Sequence, residues 1–311
     1  MKTFTTMITP YQADGNVDLG SVKRYTEWYL QKGLNGIFAV CQSSEIFYLS
    51  LEERAAINQI VYDTVQDFKK QTGKDVTVVS SGHVSYDMEE QAKELNRIYD
   101  SGTDALIWIT NRLDPHNEGD DVWLRNAEKL LRSMPKDAKL GLYECPYPYK
   151  RLVTPRILDW CLRTGRFYYM KDTCCDGKLL KERCEQLKES HFALLNANCQ
   201  TLLESYRYGA KGYCGIMCNF HPELYVKLGD IWKDDPVQAE LLQALIGSLG
   251  FTEGGLPYPL SAKYHLCLEG IESALIARSR PGDRMTDYTR HCVEQMKQLC
   301  DHVTAQGRLY S

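Results

Sequence analysis

Phe167-Tyr168-Tyr169-Met170-Lys171-Asp172-Thr173 is the stretch on which the reading of the fold turns. Three aromatics and a methionine run straight to a lysine, and polar residues follow at once. Aromatic residues suit a pleated, covered surface, so the run predicts a short strand buried on both sides. Lys171 would then stand where a parallel strand leaves its sheet, the end that carries the chemistry in a closed α/β barrel. An ammonium held there among apolar neighbours loses solvation, which favours the neutral amine and frees it as a nucleophile. Taken alone, a lysine at a strand end more often runs out into solvent.

Working outward, the same kind of segment recurs on both sides. Apolar or β-branched runs at residues 3–8, 36–40, 76–80, 105–110 and 139–144 precede it, and runs at 192–196 and 212–216 follow. Helical patterns separate them, at 22–31, from 50 onward, and at 88–100, 121–133, 156–163, 179–189 and 201–208. Ser50 and Glu53 open the second of these with the spacing of a capping box. Eight strands alternating with helices mean βαβ units and a parallel sheet. Spread over about 220 residues, they predict the α/β class and a (β/α)8 TIM barrel. From residue 222 the strand signals stop, and a helical pattern continues with an interruption at 247–259. The expected division is therefore a barrel carrying the active site over residues 1–221 and a C-terminal helical appendage over 222–311.

The bulk numbers fit a folded globular chain. Of 311 residues, 43% are hydrophobic and 25% charged, the balance of a folded globular chain. The formal net charge is -4 and there is no basic block, which argues against nucleic acid as a partner. No stretch approaches the length of an apolar membrane span, and residues 1–7 lack the apolar centre of a signal peptide. A cytoplasmic protein with no membrane partner is the default expectation. Eleven of the twelve cysteines lie at or after Cys145, with no paired C-x-x-C modules. No structural zinc or other metal site is expected, and free thiols serving as small core residues are the favoured reading. A weaker alternative is thiol reactivity or metal binding, since Cys41, Cys145, Cys174 and Cys214 all fall at or near strand ends.

With strands assigned, the polar residues at their C-terminal ends can be collected. Gln42, Ser43 and Ser44 follow strand two, Tyr143 ends strand five, Lys171 ends strand six and Gly215 ends strand eight. An amine, a phenol and a hydroxyl-rich turn are what Schiff-base chemistry on a 2-oxo acid needs. The lysine attacks the ketone carbon, the phenol carries protons, and the turn offers donors to the carboxylate. Alone, Tyr143 would read as an ordinary buried tyrosine and the serines as a helix-entry turn. Their shared position at one end of one barrel is what joins them.

The chain resembles the N-acetylneuraminate lyase / dihydrodipicolinate synthase family of class I aldolases. The resemblance runs nearly end to end, from Ile8-Thr9-Pro10-Tyr11 and Gly15-Asn16-Val17-Asp18 to Leu256-Pro257-Tyr258-Pro259-Leu260-Ser261-Ala262-Lys263 ahead of the tail helices. Met170-Lys171-Asp172-Thr173 matches the family's Schiff-base lysine motif, and Tyr143-Glu144-Cys145-Pro146 matches its catalytic tyrosine with a proline three residues on. The resemblance implies a lyase or aldolase that cleaves or condenses a pyruvate-type 2-oxo acid with an aldehyde. Lys171 and Tyr143 would be catalytic, and Ser43, Ser44, Gln42 and Gly215 would bind substrate. No cofactor beyond the covalent Schiff base on lysine is expected, and a homo-oligomer, dimer or tetramer, is implied.

Several positions depart from the family pattern. Its Gly-Thr-Thr-Gly-Glu turn stands here as Cys41-Gln42-Ser43-Ser44-Glu45, so an amide occupies the place of the first relay hydroxyl. An amide donates a hydrogen bond but does not hand on a proton as a hydroxyl does. The tyrosine that the synthase lends across a subunit interface falls near Leu113, and its carboxylate-binding arginine falls at Pro148, with Arg151 nearby. The acidic pair with which the lyase reads sialic acid falls at Asn198-Cys199. Neither founding activity is supported by these residues. The alternative expectation is a catalytically altered member that binds a 2-oxo acid in a sensing or binding role.

Overall fold

The computed structural model describes residues 1–306. Eight strands, β1 (Lys2–Thr6), β2 (Gly36–Phe38), β3 (Thr77–Ser80), β4 (Ala105–Ile109), β5 (Leu140–Tyr143), β6 (Phe167–Asp172), β7 (Ala193–Asn196) and β8 (Gly212–Gly215), form one sheet. All neighbours pair in parallel and in sequence order, and β8 returns to β1 to close the barrel. Helices α1 (Leu19–Gln31), α2 (Leu51–Thr72), α3 (Met88–Asp100), α4 (Asp120–Arg132), α5 (Pro155–Thr164), α6 (Gly177–Leu187), α7 (Leu202–Tyr208) and α8 (Pro222–Ile231) alternate with the strands. Three more follow: α9 (Pro236–Gly254), α10 (Leu260–Leu268) and α11 (Asp287–Gln306). The chain is a TIM barrel of the α/β class with helices beyond its eighth strand, as its alternation predicts.

The helices start where short polar side chains satisfy their first free amides. Asp18 Oδ1 accepts the Ser21 N–H at 2.9 Å, and Thr154 Oγ1 accepts that of Ile157 at 3.3 Å, ahead of Pro155. The expected capping box forms: Ser50 Oγ accepts Glu53 N–H at 3.2 Å while Glu53 Oε2 accepts Ser50 N–H at 2.8 Å. Such caps end each loop sharply and leave the strand termini as the fixed side of the barrel mouth. Among the described residues, no helix is long and apolar enough to cross a membrane.

Two local expectations are corrected. The run 167–171 is not buried on both sides throughout, because Tyr168 and Tyr169 are half-buried. The β5–β6 register slips between Leu140 and Gly141, whose partners are Phe167 and Tyr169. Tyr168 is thus skipped by the ladder and lies against His191, ring centroids 4.3 Å apart, under the Lys139 ammonium. A bulge re-aims side chains in this way. The second correction concerns α9, which continues unbroken through the interruption expected at 247 and ends only at Gly254. A Cβ at Gly250 would run into the Cys199 sulfur. The glycine is there so that the helix can approach the loop after β7, rather than to end the helix.

Candidate active site

The register of β5 on β6 sets Tyr143 beside Lys171. Alternation along a strand then sends these two side chains to the inner face and their successors, Glu144 and Asp172, to the outer one. Lys171 Nζ lies 4.2 Å from the centroid of the Tyr143 ring and 6.0 Å from that of Phe38. Tyr143 meets Phe38 edge-on at 5.6 Å. Lys171 is only 7% exposed, and among the described residues no carboxylate pairs with its ammonium. Burial pushes the Tyr143 phenol well above the ordinary tyrosine range. It therefore stands as a neutral proton donor.

Behind this pair the outward residues are locked. Arg183 Nη1 bonds Asp172 Oδ2, while Arg183 Nη2 reaches Glu144 Oε1 at 2.6 Å and Val153 O at 2.7 Å. Glu144 also accepts the amides of Val153 at 2.7 Å and Thr173 at 2.9 Å. The ends of β5 and β6, which carry the inward lysine and tyrosine, are thereby tied to α6.

The turn after β2 supplies the opposite wall. Ser43 Oγ donates to Thr6 Oγ1 at 3.1 Å, and Gln42 Oε1 faces both the Tyr143 hydroxyl at 3.4 Å and the Cys145 thiol at 3.2 Å. Ser44 is placed differently. Its buried hydroxyl lies 2.7 Å from Met7 O and 2.8 Å from Ala39 O, and accepts the Cys41 N–H at 3.1 Å. It pins the turn from behind and does not line the cavity. Glu45 takes a left-handed backbone, φ 61°, and its Oε2 accepts the Ser279 N–H at 2.7 Å, which fastens the turn to the tail. Gly215 does line the cavity, and a Cβ there would collide with the Tyr213 hydroxyl below.

The cavity they enclose measures about 460 Å³. Lys171, Tyr143, Gln42, Ser43 and Gly215 line its inner part, with Thr173, Ala197, Asn198 and Ile216. Glu45, Phe47, Tyr48, Pro146, Tyr147, Lys150, Cys175, Tyr258, Pro259, Ser279 and Arg280 complete the lining. Phe47 stacks tilted on Tyr147 at 5.0 Å and receives the Arg112 guanidinium on its ring at 4.9 Å. The sequence gives no periodic signal for these loop residues, so they went unassigned. The outward Glu144 and Asp172 carried a signal, since each follows an inward residue by one position.

The departures from the family pattern take definite places. Leu113 is wholly buried, and Pro148 is exposed outside the cavity lining. Arg151 turns away to Asp114 at 3.0 Å and Asp120 at 2.7 Å. Asn198 lines the cavity, whereas Cys199 is buried behind it. At three of the four strand-end cysteines burial works against a reactive thiolate: it pushes Cys145 up to about 11 and Cys174 and Cys214 up to about 12. Burial thus favours the thiol over the thiolate at these three positions.

A family model described as the dihydrodipicolinate synthetase family matches residues 1–109. The 4-hydroxy-tetrahydrodipicolinate synthase of Saccharophagus degradans is 23% identical over 289 residues, covering 85% of this chain and 94% of its own. That of Methanothrix thermoacetophila is 23% identical over 231 residues, 74% of each chain. Among solved structures, a catalytic-lysine mutant of Ruminococcus gnavus sialic acid aldolase superposes with a TM-score of 0.85 at 17% identity, over 98% of this chain and 97% of that one. A dihydrodipicolinate synthase from Bacillus anthracis superposes with a TM-score of 0.78 at 18% identity, over 96% and 97%.

Proposed function

We propose, from the premise that the chain belongs to the dihydrodipicolinate synthase and N-acetylneuraminate lyase family, that it is a Schiff-base lyase or aldolase. It would cleave or condense a pyruvate-type 2-oxo acid with an aldehyde. The observation that carries this reading is the Lys171 amine, buried without a carboxylate partner among the described residues and held 4.2 Å from the centroid of the Tyr143 ring. Lys171 attacks the ketone carbon, and the phenol brings protons to the oxygen that leaves as water. The phenolate then takes a proton from the carbon next to the imine, giving the enamine that meets the aldehyde. Ser43 and the amides of its turn suit the carboxylate. Phe47, Tyr48 and Tyr147 offer flat faces to the body of the aldehyde.

Incubation with pyruvate, borohydride reduction and peptide mapping by mass spectrometry test the reading. A reduced adduct on Lys171, absent from Lys171→Ala, is the expected result. An adduct elsewhere, or none with pyruvate or any of a panel of 2-oxo acids, would overturn it.

A second reading, binding without turnover, is favoured by two observations. Gln42 stands where a relay hydroxyl would, and a buried leucine, Leu113, stands where the family's second relay tyrosine would. Exchange of the pyruvate methyl protons with deuterium, followed by NMR, separates the two without knowledge of the aldehyde. Exchange supports the lyase; imine formation without exchange supports the binding role.

A further inference from the structure

We infer that Cys145 is a positioning residue: with the Tyr143 hydroxyl it holds the oxygen of the Gln42 amide, so that the amide NH2 faces the cavity as a fixed donor to the oxygen of the bound 2-oxo acid. The inference rests on the Schiff-base reading. Gln42 is half-buried and lines the cavity. Its Oε1 has the phenol at 3.4 Å and the thiol at 3.2 Å. A planar amide whose oxygen is committed on one side presents its nitrogen on the other. Among the described residues, no acceptor engages that nitrogen.

The local chain explains why a thiol is available there. Cys145 N–H bonds back to Tyr143 O at 2.9 Å, a tight turn that returns the buried side chain of Cys145 toward the phenol. Its proton is shared between Gln42 Oε1 and Tyr147 O, the latter at 3.4 Å. The phenol contact is long for an O–H bond. Neither donor alone fixes the amide, and the two together do. Burial keeps Cys145 a thiol, pushed up to about 11, and hence a donor at every pH of interest.

The consequence lies in how protons reach the substrate. Attack by Lys171 forms the N–C bond and moves the C=O π pair onto oxygen. Two protons, one from the attacking nitrogen and one from solvent, turn that oxygen into water as the C–O bond breaks and the protonated imine remains. Gln42 steadies the developing charge but cannot pass either proton, so both go through Tyr143.

The rate of borohydride-trapped imine formation with pyruvate tests this in wild type, Gln42→Ala, Cys145→Ala, Cys145→Ser and the Gln42→Ala/Cys145→Ala pair. Gln42→Ala and Cys145→Ala should each lower the maximal rate about tenfold, with the half-saturating pyruvate moving less than about threefold. Cys145→Ser, which keeps a donor, should recover most of the rate, and the double variant should be no slower than Gln42→Ala alone. Cys145→Val replaces Cys145→Ala if the latter does not fold. An unchanged rate in the variants lacking a donor, multiplying effects in the pair, or no recovery with serine would overturn the inference while the Schiff base stands. No adduct in wild type with pyruvate or any of the panel of 2-oxo acids would remove the Schiff-base reading and this inference with it.

Discussion

Tyr143 carries more of the chemistry than its single hydroxyl suggests, because its buried phenol stays protonated and the side chain beside it is an amide. Tyr143→Phe keeps the ring under Lys171 and deletes the hydroxyl, which is both the proton donor and one of the two contacts to Gln42 Oε1. Imine formation with pyruvate should fall about 10²–10⁴-fold, the range for a removed general acid, with the fold intact by circular dichroism. A loss under threefold would show that protons arrive by another route. At the aldehyde end the expected effect is different in kind. Phe47 is held by the tilted ring of Tyr147 and by the Arg112 guanidinium over its own ring, so it forms a supported wall. Phe47→Ala should leave the pyruvate imine rate within about twofold and weaken use of the aldehyde in condensation assays about tenfold or more. An equal loss in both half-reactions would place Phe47 in the 2-oxo acid site instead. Lys171, Tyr143 and Ser43 could be picked out of the sequence because each ends a recognisable strand or opens the turn after one. Ser44 was misplaced since a hydroxyl in a turn reads the same whether it faces substrate or the backbone behind it.

At the scale of the elements, the site depends on β5 and β6 ending level. Arg183 on α6 ties both ends from outside through Glu144 and Asp172, with its side chain only 2% exposed and both carboxylates fully buried. Removing the guanidinium strands two carboxylates in a dry environment. Arg183→Met should therefore destabilise the fold by about 3–5 kcal/mol in urea unfolding. Arg183→Lys should recover only part of it, since a point charge cannot serve both carboxylates and Val153 O. A cost below about 1 kcal/mol would mean the carboxylates are solvated or protonated without penalty. The barrel itself was legible from strand–helix alternation, because a closed parallel sheet leaves an apolar run at every strand. The course of α9 was not. Gly247, Gly250 and Gly254 read as breaks in sequence, and the Cys199 sulfur against Gly250 shows that at this one position smallness serves packing.

At the scale of the whole molecule, the segments after the barrel reach the site directly, through Tyr258 and Arg280 in the cavity lining, and also through contacts that fasten the turn after β2. Glu269, just past α10, receives Trp28 Nε1 of α1 at 3.0 Å, Lys32 just past α1 at 2.9 Å, and Lys297 of α11 at 2.6 Å. Between α10 and α11, Arg278 bonds Glu53 and Tyr48 O, and Ser279 bonds Glu45 on the substrate turn. Burial raises the Glu269 carboxyl, but hydrogen bonds from Lys297, Trp28 and Lys32 more than reverse this and hold it down at about 2. A carboxyl lowered on folding contributes stability above its unfolded value of about 4.5, and that contribution is lost as pH falls from there toward 2. The group is half-buried, so solvent screening reduces the contribution to about 1 kcal/mol. Glu269→Gln should be less stable than wild type by that amount in urea at pH 7, and the gap should close as pH falls through 4 to near 2. Imine formation at pH 7 should be unchanged, because Glu269 touches the tail and α1 but not the cavity. A gap that persists at pH 2.5 would assign the loss to packing rather than charge. A slower imine rate at pH 7 would instead mean that loosening the tail moves the Glu45 turn, and with it Gln42 and Ser43.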